Sequence, residues 1–444
     1  MQGLRIWIGG AAVVAALGLL AAVTMGPEEE APRPRPAAVA AAPPARAAAP
    51  RPPRAVDYAL VDARLKRLMQ DDAMVGLAVG IVEDGQITYL RGYGETVAGT
   101  GDPVTADTVF RWASVSKGVA STLVARLAAD GKLSLDDPVS RYAASLRLPG
   151  GNEARATVAD VLSHRVGVHG NANDPPLEDG GDPRYLRSTL ATLPLICPVG
   201  TCFSYQNVAY DAASEIVEKV TGRTYADVAD AQLFAPLGMK SASVSLPGLM
   251  SSPSWARPHD AAGRPQPRGL SEAYYRVPAA GGVNSSIRDL ARWMQAQMGQ
   301  APKAVPPAIL ATVHTPRVAT PRENRRQRKF ADRISGATYA LGWRNYDYVG
   351  NRVVTHHGGI SGYRATMMFD PVKRSGIVAL WNSGSGQPWG LDYEVMDMIY
   401  GLDRRDWMGL DTPEGQPPAP LTPVPTSSVP LPPAATASLA QIGR

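Results

Sequence analysis

The apolar positions of this chain repeat with two different periods, and the period changes along the sequence. Residues 57–70 carry leucines with helical spacing. Residues 75–82 and 87–93 are rich in β-forming residues, and Asp84-Gly85 between them is a strong hairpin signal. The pattern predicts a helix followed by a two-stranded hairpin.

The middle of the chain favours helices, and strand signals return near its end. The predicted later helices span 158–164, 207–221, 225–234, 287–298 and 391–400, and the predicted later strands span 339–346, 352–357, 363–369 and 377–381. Two early strands and several late ones predict an α+β fold. In it, one antiparallel β-sheet is built from N- and C-terminal strands, is flanked by helices and carries an inserted, mainly helical subdomain. A ligand cleft is expected between the two halves.

The ends of the chain differ in composition from the folded part. Residues 1–26 contain an uncharged apolar stretch of about 20 residues, long enough to span a bilayer, so we predict a transmembrane anchor there, with a removed signal segment as the alternative. Residues 27–54 predict a stiff Pro/Ala-rich linker, and 406–444 a Pro-rich disordered tail. The folded domain is then 55–405. We expect it on the periplasmic side of the inner membrane, or free in the periplasm if the segment is cleaved.

The charge of the chain and its two cysteines limit which classes of partner and which cellular compartment are expected. The net charge of +5 comes from arginines in the linker and in the run 317–333, neither of which resembles a nucleic-acid-binding fold, so no nucleic-acid partner is expected. The run is predicted to be a solvated loop; a rim that attracts an anionic substrate or a membrane surface is the alternative. Cys197 and Cys202 predict a disulfide in an exported protein, with two buried thiols as the alternative.

Histidine spacing gives no metal-ligand pattern, so neither a metal nor another cofactor is expected. Four histidines are predicted to be structural or exposed: His164, His169, His259 and His314.

Ser114 and Lys117 carry the strongest candidate chemistry. They are three positions apart at the start of a predicted helix that stops before Gly131, a residue typical of helix ends. Positions i and i+3 of a helix are neighbours, so the Lys117 amine can take the Ser114 proton if burial lowers its pKa. The pair predicts an activated nucleophile at a helix N-terminus. A solvated lysine on a surface helix is the alternative.

Further short motifs follow in a fixed order. Together they resemble the penicillin-recognising serine hydrolases, specifically the class C β-lactamase-like group, over roughly residues 57–403. The matching segments are FRWASVSK (110–117), GKLSLDDPV (131–139), VLSH (161–164), FSYQN (203–207), PLGM (236–239), GGVNS (281–285) and HHGGISGY (356–363).

The resemblance implies a β-lactamase/transpeptidase-like fold and a role for each motif residue. Ser114 would be the acylated nucleophile, and Lys117 would help to deprotonate it. Tyr205 would act as a phenolate-like base or as a proton shuttle to the leaving group; as a base, it needs nearby cations to lower its pKa from about 10. Asn207 would hold Lys117 and the substrate amide. Without the resemblance, Tyr205 could be a packed aromatic and Asn207 a helix N-cap.

The third motif contains two adjacent histidines, so its register is open. Counting back from the glycine–aromatic pair at 362–363 puts His356 at the family's Lys/His position and Gly358 at its glycine. Successive strand side chains point to opposite faces, so only one histidine can face the cleft, and we predict His356 rather than His357. The resemblance then implies an oxyanion hole made by the backbone N–H groups of Ser114 and Gly359.

One departure from the family pattern changes the expected substrate. An unperturbed histidine is mostly neutral at about pH 7, so His356 does not supply the permanent charge that grips the carboxylate of a penicillin. The resemblance therefore implies an acyl-enzyme hydrolase for an ester, a D-amino-acid peptide or a β-lactam-like amide, with a small-molecule or peptide substrate that could derive from peptidoglycan. The alternative is a catalytically weak, membrane-tethered cell-wall (penicillin-) binding protein.

Overall fold

The computed structural model describes residues 54–260 and 265–411. The helices of this part are α1 (Tyr58–Leu68), α2 (Ser116–Ala129), α3 (Val158–Leu162), α4 (Asp174–Glu178), α5 (Pro183–Thr189), α6 (Ala212–Thr221), α7 (Tyr225–Ala229), α8 (Leu246–Met250), α9 (Pro278–Gly281), α10 (Ile287–Gln297), α11 (Pro307–His314), α12 (Pro321–Arg326) and α13 (Leu391–Tyr400). The strands are β1 (Gly76–Glu83), β2 (Gln86–Gly94), β3 (Val109–Arg111), β4 (Asn284–Ser286), β5 (Val318–Ala319), β6 (Ile334–Tyr339), β7 (Arg344–Tyr348), β8 (Asn351–Ile360), β9 (Tyr363–Asp370) and β10 (Ser375–Trp381).

The strands form one large antiparallel sheet with the order β2-β1-β10-β9-β8-β7-β6-β5. The early hairpin pairs with the last strand, so the sheet is assembled from both ends of the folded chain, and this prediction is confirmed. A separate pair, β3 and β4, brings residues before α2 beside residues before α10. The helices between β2 and β5 form the inserted region.

Helices cover both faces of the sheet, and the side chains of the inner strand β10 pack into a core on each face. Val378 and Leu380 pack into the core shared with α2 and α10, whereas Ile377 and Trp381 pack into the core shared with α1 and α13. Alternate side chains of a strand point to opposite faces, so a strand buried on both faces is apolar throughout. The site described below lies on the face toward α2.

Four boundaries differ from the sequence predictions. The predicted strand 339–346 is two strands, because the chain turns at Gly342, whose φ is +75°. The predicted helix 207–221 begins only at Ala212. The basic run 317–333 is not a plain loop but contains β5 and α12. The folded chain continues past residue 405, where the domain was predicted to end, because Trp407 and Met408 are buried against α13.

The predicted anchor (1–26), all of the predicted linker except Arg54, and the tail beyond Asp411 lie outside the described residues. Within residues 54–260 and 265–411, every helix is too short or too polar to cross a membrane.

Candidate active site

Ser114 lies in a 3₁₀ turn that leads directly into α2. The residue before it, Ala113, has φ +49°, a left-handed conformation that costs energy for a residue with a side chain. The segment before β4 holds both sides of this turn. The Trp112 N–H donates to the Val283 carbonyl (2.9 Å), and the Val283 N–H donates to the Ser116 hydroxyl (3.0 Å). Two motifs distant in sequence thus fix the position of Ser114.

Lys117 is completely buried, and three oxygen atoms lie within hydrogen-bond distance of its amine. The nitrogen lies 2.7 Å from Asn207 Oδ1, 2.9 Å from the Ala280 carbonyl oxygen and 3.4 Å from Ser114 Oγ. The first two oxygens can only accept hydrogen bonds, so they bind two N–H groups and leave the third position facing Ser114. Burial lowers the pKa of Lys117 to about 7. When uncharged, the amine therefore directs its lone pair at the Ser114 hydroxyl.

Tyr205 contacts the same serine from the helical region. The Lys117 amine lies 4.7 Å from the centre of its ring. Burial raises the pKa of the Tyr205 hydroxyl, and this effect outweighs the hydrogen bond with Ser114 and the positive charge of Arg344, which lower it. Nearby cations do not turn Tyr205 into a phenolate, contrary to what a role as base requires. The arrangement favours a neutral hydroxyl that can pass on a proton.

The loop that carries Tyr205 is tied down on both sides. Cys197 and Cys202 form a disulfide just before it, which confirms the first of the two alternatives for these cysteines. The Ser204 N–H donates to the carbonyl of His164 (2.9 Å), and the His164 ring packs against the Tyr205 ring with 4.3 Å between centroids. His164 was predicted to be structural or exposed; it is buried and supports the Tyr205 loop.

Two buried histidines are joined through Tyr339, and the donors fix their tautomers. The Gln206 N–H donates to His164 Nδ1 (3.1 Å), so His164 Nε2 carries the proton and donates to the Tyr339 hydroxyl (3.2 Å). Tyr339 then donates to His356 Nε2 (3.0 Å), whose Nδ1–H donates to the His357 carbonyl (2.8 Å). Burial lowers the pKa of both His164 and His356. Both nitrogens of the His356 ring are thus occupied within the protein, and the ring is uncharged.

The side chains of β8 alternate as the sequence predicted. The His356 ring lies on the Tyr205 side, 6.4 Å from that ring. His357 lies on the opposite face, where its Nε2 is 3.3 Å from Asp392 and its ring packs against Trp389. The third-motif histidine near the candidate nucleophile is therefore His356.

Gly358 lies where β8 passes directly against the turn of Ser114. β7 pairs with β8 only as far as Thr355, so the rest of that edge is open to this turn. A Cβ on Gly358 would lie 2.3 Å from the Trp112 carbonyl oxygen and 3.0 Å from the Ser114 nitrogen. Only glycine permits this approach. Gly359 follows and is exposed at the open edge.

Asn207 connects Lys117 to a residue that sequence analysis did not single out. Its side-chain carbonyl accepts from the amine of Lys117, and its Nδ2 donates to Asp174 Oδ2 at 2.7 Å. Asp174 begins α4, within a segment whose composition carries no recognisable motif. A second such residue is Arg344. Its guanidinium carbon lies 5.9 Å from the centre of the Tyr205 ring, and its Nη1 lies 3.2 Å from the Glu323 carboxylate of α12. Asp174 and Arg344 are distant in sequence from Ser114 and come close to the site only when the chain folds.

In the part of the chain that the structure describes, no cluster of three or more His, Cys, Asp or Glu side chains could hold a metal ion. The Ser114 hydroxyl, the Lys117 amine and the Tyr205 phenol meet at the junction of sheet and helices.

Comparison with known proteins identifies the family. The family model described as beta-lactamase matches residues 61–397. The chain belongs to the beta-lactamase family. This confirms the resemblance on which the motif roles are based. The Unguisins hydrolase ungD of Aspergillus violaceofuscus is 26% identical to the chain, covering 75% of the chain and 63% of the relative. The esterase EstB of Burkholderia gladioli is 32% identical, covering 52% of the chain and 61% of the esterase.

The fold also matches solved structures of this family. The octameric penicillin-binding protein homologue from Pyrococcus abyssi is 23% identical, with a TM-score of 0.69 and 80% of each chain covered. Class C β-lactamases share the fold as well. The likeness to these structures bears on the fold alone. The chain spans about three fifths of the length of the first curated relatives it matches.

Proposed function

We propose that this chain is an exported serine hydrolase that forms an acyl-enzyme on Ser114 with an ester, a D-amino-acid peptide or a β-lactam-like amide. The observation that carries the proposal is the buried Lys117 amine, which has two N–H groups bound to acceptors and its third position aimed at Ser114 Oγ at 3.4 Å. A base in this position can take the serine proton as the oxygen attacks a carbonyl.

The remaining groups have complementary roles. Ser114 Oγ bonds to the substrate carbonyl carbon, and the resulting oxyanion is held by the backbone N–H groups of Ser114 and Gly359. Tyr205, which burial keeps protonated, passes a proton to the leaving group as its bond to the carbonyl carbon breaks. The proton that Lys117 took from Ser114 restores the Tyr205 hydroxyl, so the amine is uncharged again. A water then attacks the carbonyl carbon of the acyl-enzyme and Lys117 takes the proton of that water. The bond to Ser114 Oγ breaks as this oxygen regains a proton from Lys117. Asn207 holds Lys117 in place throughout.

The neutral state of His356 favours some substrates over others. Both of its ring nitrogens are bound within the protein, so the ring offers neither a charge nor a free donor to a substrate carboxylate. This supports esters and simple amides over penicillins as good substrates. The esterase and hydrolase names of the relatives support the same reaction class.

Two further observations support a location of the enzyme at the inner membrane, facing the periplasm. The apolar stretch within residues 1–26 supports an anchor in the inner membrane with the catalytic domain in the periplasm. The disulfide between Cys197 and Cys202 supports an oxidising compartment. Fractionation of cells that express the full chain should place the enzyme in the membrane fraction, accessible to protease from the periplasmic side. Recovery from the cytosol would contradict this location.

Turnover of p-nitrophenyl propionate tests the proposed reaction. The purified protein should hydrolyse the ester, and Ser114→Ala should reduce the rate by at least about a hundredfold. Ser251→Ala, at an exposed serine of another helix end, serves as the matched control and should leave the rate unchanged. Binding of a fluorescent penicillin without Ser114-dependent turnover would favour the alternative, a cell-wall binding protein.

A further inference from the structure

A cavity of about 450 Å³ lies against the end of β8, directly after the third motif. Its wall includes Gly359, Ser361, Arg364, Asp260, Arg268 and Trp389. Gly359 is exposed, and it is also the residue whose backbone N–H is proposed to hold the oxyanion. A ligand in this cavity therefore lies next to the carbonyl that the nucleophile attacks.

Arg364 presents a fixed cation to this cavity. Its side chain lies over Gly359, because a Cβ on that glycine would be 3.3 Å from Arg364 Cδ and 3.7 Å from the guanidinium carbon. Nη1 donates to the carbonyls of Ile360 (3.0 Å) and Tyr363 (2.8 Å), which hold the guanidinium in place. Nε and Nη2 have no hydrogen-bond partner among the described residues, and the half-buried side chain lines the cavity. These two nitrogens are free to donate to a ligand.

The positive charge of Arg364 has no counter-ion among the described residues. It forms no ion pair there, and burial alone acts on its pKa, which burial lowers. A second arginine of the wall, Arg268, is exposed and likewise forms no ion pair within residues 54–260 and 265–411. Asp260 supplies one carboxylate, which accepts from the Gln266 N–H (3.1 Å). The wall thus carries an excess of positive charge, which favours an anionic ligand group.

The direction of β8 decides which part of a substrate reaches the cavity. Tyr205, the proposed proton donor to the leaving group, lies beside His356, with 6.4 Å between the ring centres. The cavity is lined by residues 359–362, which come later on the same strand and in the turn after it. A substrate whose leaving group is at Tyr205 therefore extends its acyl part toward the cavity.

The separation between nucleophile and cation suits a short acyl chain. A Cβ on Gly358 would lie 3.0 Å from the Ser114 nitrogen, and the next residue of the strand is the one that Arg364 covers. Two residues of a strand correspond to roughly 7 Å. An acyl chain of five or six carbons extends roughly 5–6 Å from its carbonyl carbon to its far carboxyl carbon. Trp389, whose ring packs against that of His357, gives the cavity an apolar surface for the methylene groups.

We infer that Arg364 binds an anionic group at the far end of the acyl chain, so that the enzyme prefers monoesters and monoamides of dicarboxylic acids. Ser114 Oγ attacks the esterified carbonyl, and the free carboxylate takes no part in the bond changes. The inference rests on the proposed acyl-enzyme function and narrows its substrate class. The site differs from the position of His356, which lies on the leaving-group side.

Two p-nitrophenyl esters that differ only at the far end of the acyl chain provide the test. One is the mono-p-nitrophenyl ester of adipic acid, and in the other a carboxamide replaces the free carboxylate. The wild-type kcat/KM should be about tenfold to a hundredfold higher for the carboxylate, as expected for hydrogen bonds between charged groups. Arg364→Gln should abolish this preference while the rate with the carboxamide ester changes by less than about threefold. Arg364→Lys should retain part of the preference, because it keeps the charge.

Two controls separate binding of the acyl chain from other effects of charge. Arg374→Gln removes a positive charge from the exposed turn between β9 and β10 and should retain the preference. The second control moves the anion to the leaving group. Wild-type and Arg364→Gln should hydrolyse 4-acetoxybenzoate and 4-acetoxybenzamide in the same ratio.

Three results would overturn the inference. The first is a wild-type enzyme with equal kcat/KM for the two adipic esters. The second is an equal loss with both esters in Arg364→Gln, which would show that Arg364 only holds the turn between β8 and β9. The third is a preference for 4-acetoxybenzoate that depends on Arg364, which would put the anion on the leaving-group side. None of them affects the proposed function, which fails instead if p-nitrophenyl propionate is not hydrolysed in a Ser114-dependent way.

Discussion

The rate of acylation should follow the protonation state of Lys117, because only the uncharged amine can take the Ser114 proton. Burial lowers the pKa of this amine to about 7. An unperturbed lysine titrates near about 10.4. For a neutral ester, which does not titrate itself, kcat/KM should therefore rise with pH up to about 7 and then level off.

The size of this pH dependence follows from the lowered pKa of Lys117. Below the pKa, the uncharged fraction of Lys117 falls about tenfold per pH unit, so kcat/KM at about pH 5 should be about a hundredth of its plateau value. At about pH 7 roughly half of the buried amine is uncharged, whereas an exposed lysine would be uncharged in only about 0.04% of molecules. Burial thus increases the population of the active base by about a thousandfold.

Initial rates with p-nitrophenyl propionate across about pH 5 to 10, corrected for spontaneous hydrolysis, measure this profile. Tyr205→Phe should lower the plateau but keep the acid limb near pH 7, because the base is unchanged. Lys117→Met should remove the limb together with most of the activity. A wild-type rate that keeps rising to about pH 10 would mean that the base titrates like an ordinary lysine or tyrosine, which would refute the reasoning.

Two further predictions concern the support of the site. Gly358→Ala should reduce fluorophosphonate labelling of Ser114 by at least about tenfold, because the new Cβ would lie 2.3 Å from the Trp112 carbonyl oxygen. The control is Gly269→Ala, because a Cβ there meets open space. Equal labelling of the two variants would contradict the prediction. Tyr339→Phe removes the hydroxyl that joins His164 to His356 by hydrogen bonds. The free energy of unfolding should fall by about 1–3 kcal/mol, and kcat/KM should fall as well. Unchanged thermal unfolding and unchanged kinetics would contradict this prediction.

The sequence was informative where local pattern decides structure. The helix from residue 391 to 400 was predicted at both ends, and the early hairpin is centred on its Asp-Gly turn. The third-motif register followed from counting back from the glycine–aromatic pair at 362–363, and strand alternation then predicted that His356 and His357 face opposite sides of the sheet. The association of early and late strands in one sheet could be predicted because an isolated hairpin cannot bury its apolar faces.

Other features depend on contacts that no local pattern encodes. Asp174 and Tyr339 stand in segments without a motif, and they reach the site only because α4 and β6 fold against it. The direction of the Tyr205 pKa was also beyond prediction, since it depends on how burial compares with nearby charge. Trp407 lies just before the Pro-rich stretch that begins at Thr412, and it packs against α13.

Mass spectrometry of the trapped acyl-enzyme tests the central claim most directly. The protein is mixed with a slowly hydrolysed ester or a fluorophosphonate, quenched in acid, digested and mapped. The account predicts one added acyl or phosphonyl group on the peptide that contains Ser114, and none in Ser114→Ala. A modification at another residue, or hydrolysis with unmodified Ser114 at every time point, would contradict it.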